Sequence, residues 1–175
     1  MKTKFLFAFL IGILLTSCKK DNEVSKISNG SGFEIYETTK PYSGNLNLDY
    51  SKVNFDTITL SEKPILYYKD LINYDTINHK LTLGLSHDSL KFNNAGVYGR
   101  MIVVTLDKIP IYCGFKWRVI SSVPSNWIFI EEPYQSLDNL ADNEIVISYR
   151  AASKLDPRLD KRIIGRLKSD NKIKK

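Results

Sequence analysis

Hydrophobic positions along this chain fall in short alternating runs rather than long helical stripes. Phe33-Glu34-Ile35-Tyr36-Glu37 alternates with period two and predicts a strand with one buried face. Thr38 to Asn47, broken by Pro41 and Gly44, reads as loop, and Val53 to Leu60 as a strand or an extended connection. Pro64-Ile65-Leu66 leads into Tyr68 to Tyr74, where Asp70, Leu71 and Ile72 suit a single helical turn. Lys80 to Leu85 alternates again, with Leu81, Leu83 and Leu85 on one face, and Ser86 can cap a short helix reaching about Asn93.

The clearest hairpin comes next. Arg100 to Leu106 is a continuous β-branched run, Asp107-Lys108 turns, and Ile109 to Trp117 returns. Lys108 stands where such a turn usually carries Gly, and Pro110 in the returning strand implies an edge position or a bulge. Val119 to Asn126 is loop. Trp127 to Glu131 and Glu144 to Tyr149 are two further strands, linked by Pro133 to Asn143. Asp156 caps, and Pro157 begins, a helix to about Lys168 with Leu159, Ile163 and Leu167 along one face. The expectation is an α+β fold with a mostly antiparallel sheet, short helices and a C-terminal helix.

The first eighteen residues change the picture. Lys2 and Lys4 precede an apolar run, Phe5 to Leu15, that is too short to span about 30 Å of hydrocarbon and suits a secretory leader. Leu15-Thr16-Ser17-Cys18 then resembles the lipobox of bacterial lipoproteins. That resemblance implies removal of residues 1–17, a diacylglyceryl thioether on Cys18 and acylation of the new amine. Each buried methylene contributes about 0.8 kcal/mol, so more than one acyl chain anchors stably. Lys19-Lys20-Asp21-Asn22-Glu23 is similar to the surface-export signals of some Gram-negative outer-membrane lipoproteins. Residues 18–32 read as a flexible tether, 33–170 as one domain and 171–175 as a basic tail. The implied location is the cell envelope, at the outer membrane or cell surface, with the periplasmic face open.

Composition is that of an ordinary globular protein, with 43% hydrophobic and 25% charged residues over a length of 175. Removing Lys2 and Lys4 with the leader lowers the net charge from +6 to +4, and the excess cation lies from Arg158 to Lys175. Such a tail can be solvated or can meet acidic lipid or glycan; no nucleic-acid motif accompanies it, so no nucleic-acid partner is expected.

With Cys18 acylated, Cys113 has no partner for a disulfide, and its apolar surroundings suit a buried structural thiol better than a nucleophile. His79 and His87 have no metal-ligand spacing, so neither a metal nor a cofactor is expected, and His79 reads as a solvated turn residue. Glu131, Glu132, Asp138 and Asp142 could supply the carboxylate pair of a glycosidase, as any acidic loop could, and no Gly-x-Ser-x-Gly elbow exists in the chain.

Leu60-Ser61-Glu62-Lys63-Pro64-Ile65-Leu66 with Lys69-Asp70-Leu71, and the hairpin Val103 to Ile111, resemble a small extracytoplasmic domain. It is similar to the periplasmic head of the export subunit SecD and to a group of secreted bacterial proteins and lipoproteins of uncharacterised role. Asp156 to Ile164 resembles the tail of the latter group. Lys108 replaces the family's Gly and no membrane-spanning helices follow, so the resemblance implies the fold and not a translocation motor.

The functional expectation is a non-enzymatic binding or accessory module joined to a bilayer through Cys18, with an envelope protein or glycan as partner. Trp117, Arg118, Ser121, Ser122 and Trp127 are its candidate ligand contacts, an exposed indole pair being able to stack on a sugar or fill a partner's pocket. Both indoles could equally lie in the core with their N–H groups satisfied. A cell-wall or polysaccharide hydrolase, and a subunit docking through a sheet edge, are the alternatives.

Overall fold

The computed structural model describes residues 31–42, 44–45, 47–91, 93, 95–132, 140–151 and 155–174. The leader, the lipobox with Cys18, the tether up to residue 30, Asp138 and Lys175 lie outside the described residues.

Two sheets share one core. The larger is ordered β1 (Phe33–Glu37), β4 (Arg100–Leu106), β5 (Ile109–Arg118), β6 (Ile128–Glu132) and β8 (Ser148–Tyr149). The smaller is ordered β2 (Leu71–Asp75), β3 (Lys80–Leu83) and β7 (Glu144–Val146). All pairings are antiparallel except β5 with β6, which run parallel with Phe115 opposite Phe129. Among the described residues one α-helix, α1 (Lys161–Ser169), follows. The class is α+β, mostly antiparallel.

The β4–β5 hairpin forms as its β-branched run predicts. Asp107 and Lys108 both take left-handed φ, 52° and 67°, the geometry of the turn that matches strand twist. Pro110 is accommodated by a bulge, in a part of β5 that pairs with β4 but that β6 does not reach. Thr105 pairs Pro110 while Val104 pairs Tyr112, so Ile111 is the extra residue of the bulge.

Several elements differ from the sequence pattern because other segments cover their solvent faces. All five residues of β1 are buried, not one face only. Its outer edge is closed by the chain at Leu60–Leu66, with Ile65 N–H bonding Ile35 O at 2.7 Å and Ser61 N–H bonding Glu37 O at 2.9 Å. The helical turn expected at Tyr68–Tyr74 is a 3-10 turn over Tyr68–Asp70, after which β2 begins. The helix after Ser86 stops at Ser89. Glu144–Tyr149 is split at Ile147 into β7 and β8, which serve different sheets.

The C-terminal helix begins later than Pro157. Asp156 caps a 3-10 turn, Pro157–Leu159, and Asp160 then caps α1 by accepting from Arg162 N–H at 2.9 Å. Ile163 and Leu167 are buried as expected, while Leu159 is 46% exposed. Residues 171–174 of the expected basic tail are instead part of the fold. Ile173 bridges Tyr74, with Tyr74 N–H bonding Lys172 O at 2.7 Å, which covers the outer edge of β2. No described helix is long and apolar enough to cross a membrane.

Candidate functional site

Trp117 and Trp127 are each only 4% exposed, so neither indole projects from the surface as an exposed pair would. Trp117 lies on the face of β5 shared with Cys113 and Phe115, edge-on to Phe115 at 6.3 Å, and donates its N–H to Val123 O at 3.0 Å. Trp127 donates to Cys113 O at 2.9 Å and meets Tyr149 edge-on at 5.6 Å. Both rings are therefore core residues with satisfied N–H groups.

The remaining candidates stay together. Arg118, Ser121 and Ser122 line a shallow recess of about 240 Å³ with Glu131 and Arg150, and one edge of Trp117 at its wall. Ser121 is spent on structure, its hydroxyl donating to Val97 O at 2.6 Å. Trp127 faces a different and larger cleft.

That cleft, about 540 Å³, opens where the Ile111 bulge leaves β5 beyond the reach of β6. Its inner wall is Tyr50, Tyr112 and Trp127, with Phe55 and Ile111 beside them. The outer wall is the double-capped segment Leu155 to Lys161. Leu155 is 82% exposed, so with Leu159 it gives the rim an apolar lip. Ser51, Asp156, Asp160 and Lys161 provide the polar groups. A second recess of about 380 Å³ continues past Tyr50, Ser51 and Trp127 toward Asn126 and Ala151.

Both cleft carboxylates are committed. Burial works against ionisation of Asp156, but hydrogen bonds from Arg158, at 2.6 Å from Nη2 and 2.9 Å from Nε, outweigh it and hold the carboxyl below the usual range. Asp160 is held low by the Arg162 side chain at 2.8–2.9 Å and by its cap. Behind Asp156 stands His79, buried rather than solvated, with left-handed φ of 52°. Its Nδ1 is 2.6 Å from the Tyr74 hydroxyl and its Nε2 is 3.7 Å from Asp156 Oδ2. Burial, with Arg158 second, pushes its pKa down, while burial pushes that of Tyr74 up. With a neutral ring and a protonated Tyr74, the tautomer that accepts from the Tyr74 hydroxyl at Nδ1 carries its proton on Nε2, on the side of Asp156.

The other chemistry-bearing residues are dispersed. The Cys113 thiol, 1% exposed, is pushed up to about 12 by burial and points at Tyr50 O, 3.9 Å away. His87 Nδ1 pairs with Asp88 at 2.9 Å. Glu131 faces Arg150 at 3.9 Å and Glu132 bonds Lys116 at 2.6 Å, so neither is a free glycosidase carboxylate. Among the described residues, no group of three or more His, Cys, Asp or Glu could hold a metal ion.

Tyr50, Phe55, Tyr112 and Asp156 were not singled out as contacts by the sequence pattern, because a capped turn and a bulge bring together segments 44 to 106 positions apart. The one local signal was Pro110, which marks the bulge. Searches against family models, curated proteins and solved structures found no match to this chain.

Proposed function

We propose that this protein is a bacterial lipoprotein, held to an envelope membrane through acylated Cys18, whose domain is a non-catalytic binding module for another envelope protein. The observation that carries the binding part is the cleft between Tyr50 and Lys161. It joins an exposed apolar lip, Leu155 and Leu159, to a rim whose carboxylates are already ionised and fixed by arginines. Exposed apolar side chains rimmed by polar groups mark protein contact sites. A general acid, by contrast, needs a carboxyl whose pKa is raised, and both cleft carboxylates are lowered.

A cell-wall hydrolase is the second reading, favoured by the His79–Asp156 pair. Against it, the hydroxyl on the far side of that histidine belongs to Tyr74, only 2% exposed and held protonated, so it is no nucleophile.

The deciding experiment places a photo-crosslinker at Leu155 in the full chain and recovers adducts from native membranes. A discrete adduct that disappears in Leu159→Ser supports the module. Turnover of peptidoglycan or polysaccharide by the wild-type chain, abolished in Asp156→Asn, would overturn it in favour of the hydrolase.

A further inference from the structure

The place where the N-terminal segment joins the domain is fastened from several sides. Gly32 N–H donates to Asp107 Oδ1 at 2.8 Å, and Asp107 N–H returns a bond to Gly32 O at 2.9 Å. Gly32 has φ of +78°, and a Cβ on it would stand 2.1 Å from Tyr68 Cδ1, so only glycine lets the Tyr68 ring close over the backbone here. Arg166 reaches Asp107 at 3.3 Å and Asp170 at 2.7 Å, and the Tyr68 hydroxyl donates to Asp170 at 2.6 Å. Gly32 is thus locked to the β4–β5 turn and to the C-terminal half of α1.

The charges inside this lock are consumed by one another, whereas those around it point outward. Lys108 is exposed at the tip of the turn. Lys161 and Lys168, four residues before and three after Gly165, share its face of α1. Lys161 and Lys168 line a recess of about 400 Å³ floored by Ile164 and Ile173, with Leu159 on the edge it shares with the larger cleft. Nothing lies within 4 Å of the place where a Gly165 Cβ would be, so the recess is open at its centre. Among the described residues, Lys108, Lys161 and Lys168 make no ion pair. Ile163 and Leu167 are buried under the helix, so α1 can approach a bilayer by charge and not by inserting an apolar face.

From these observations we infer that the α1 face around the Lys161–Gly165–Lys168 recess, with the neighbouring Lys108 turn, rests on the anchoring bilayer and seats anionic phospholipid headgroups. The inference builds on the proposed Cys18 anchor. Thirteen residues separate Cys18 from Gly32. Fully extended they reach no more than about 50 Å, so the tether keeps the domain near the surface but leaves its orientation to other forces. The cationic face beside the attachment point supplies that orientation, because basic side chains are drawn to anionic headgroups within a Debye length, about 10 Å at 0.1 M salt. The two lysines pair with headgroup phosphate, and the apolar floor of the recess faces the glycerol.

The test uses the full chain carrying its own lipid, in vesicles of phosphatidylcholine alone or mixed with phosphatidylglycerol. A fluorophore is placed on Ser169→Cys beside the recess, or on Ile120→Cys, which is 75% exposed at the opposite end of β5. Quenching by headgroup nitroxides is then read. For Ser169→Cys it rises about twofold or more from neutral to anionic vesicles and falls back in 1 M salt, as screened surface charge requires. For Ile120→Cys it does not change. Lys161→Glu with Lys168→Glu abolishes the rise. Equal response of both labels, or an undiminished rise in the charge-reversed chain, overturns the inference while leaving the anchor intact. Loss of binding to a soluble sulfated glycan, with the vesicle signal unchanged in that same variant, also overturns it. A chain that fails to float with either vesicle in 1 M salt overturns the anchor and the inference together.

Discussion

The Tyr74 hydroxyl lies 2.6 Å from His79 Nδ1, so the last buried residue of β2 is bonded across the turn to the residue just before β3. Asp75 organises the four intervening positions by accepting from Ile77 and Asn78 N–H at 2.9 and 3.0 Å. His79 closes the turn in the left-handed region that Asn, Asp and His tolerate best. The same imidazole faces Asp156 on the cleft rim at 3.7 Å, so the smaller sheet and the outer cleft wall meet at one polar joint.

That joint makes stability depend on pH with a definite sign. The folded pKa of His79 lies below its ordinary 6.5. Below pH 6.5 the unfolded chain takes up a proton that the folded chain refuses, so this contribution is full above 6.5 and is lost as the pH falls. One proton limits the slope to about 1.4 kcal/mol per pH unit. His79→Asn keeps a residue suited to the left-handed φ and removes the ring. Urea midpoints at pH 7.5 and pH 5 should separate more for the wild type than for His79→Asn. An equal separation would mean that the imidazole is protonated without penalty.

Two glycines should respond to alanine in opposite directions. At Gly99, with φ of +71°, a Cβ would lie 2.8 Å from Lys116 O and 2.5 Å from Trp117 Cε3, and the carbonyl belongs to a central strand that cannot give way. Gly99→Ala should lose about 2–4 kcal/mol. Gly165 is an exposed position inside α1 with nothing within 4 Å, and Gly165→Ala should gain about 0.5–1 kcal/mol from helix propensity. Thermal unfolding of the two variants decides it. A stabilised Gly99→Ala would show that the Trp117 ring is not held where it is described.

These contrasts show which parts of the fold were legible in the sequence. The β4–β5 hairpin was, because Arg100–Leu106 is β-branched throughout and its partner is adjacent in the chain. So were the caps Ser86 and Asp156, each acting through a bond within two residues, as Asp160 also does. The second cap was nevertheless missed. Asp160 lies four positions after Asp156, and a single helix running through both fits the apolar spacing equally well. Contacts made across long separations were not legible. Tyr74 pairs with a segment about 100 residues later, and Glu37 is buried because Asn93, 56 residues on, donates to it from both backbone and side chain. Of the candidate site, the Arg118–Ser122 grouping was legible because a loop keeps its members adjacent. The larger cleft was not, since its walls meet only through tertiary packing.

Lys116 shows the energetic consequence of one such hidden contact. Its side chain is 1% exposed, yet its ammonium bonds Glu132 at 2.6 Å and Asn93 O at 3.1 Å. The two ends of the ion pair differ, because the Glu132 side chain is 39% exposed and can rehydrate alone. Glu132→Gln should therefore cost about 1–3 kcal/mol, since it weakens the acceptor of a charge that cannot reach water. Lys116→Met, which removes the buried charge and keeps most of the volume, should cost less. Denaturant titration of both variants at neutral pH reads the order. If Lys116→Met is the more damaging, the ammonium is doing more for the fold than Glu132 alone asks of it.

Thiol counting tests the core and the anchor with one reagent. Burial raises the Cys113 thiol to about 12, and access is closed by Tyr50 on one side and by the Trp127 bond to its own carbonyl on the other. A thiol in that state is protonated at pH 8 and out of reach, so it should not react with a disulfide reagent in the folded chain and should react fully once the chain is unfolded. Cys18 is the only other cysteine. If it carries the thioether proposed above, the purified chain titrates no thiol when native and a single one in denaturant. A thiol that reacts rapidly in the native chain, with a second appearing on unfolding, would mean that Cys18 is unmodified and that the protein is not held to the membrane by this route.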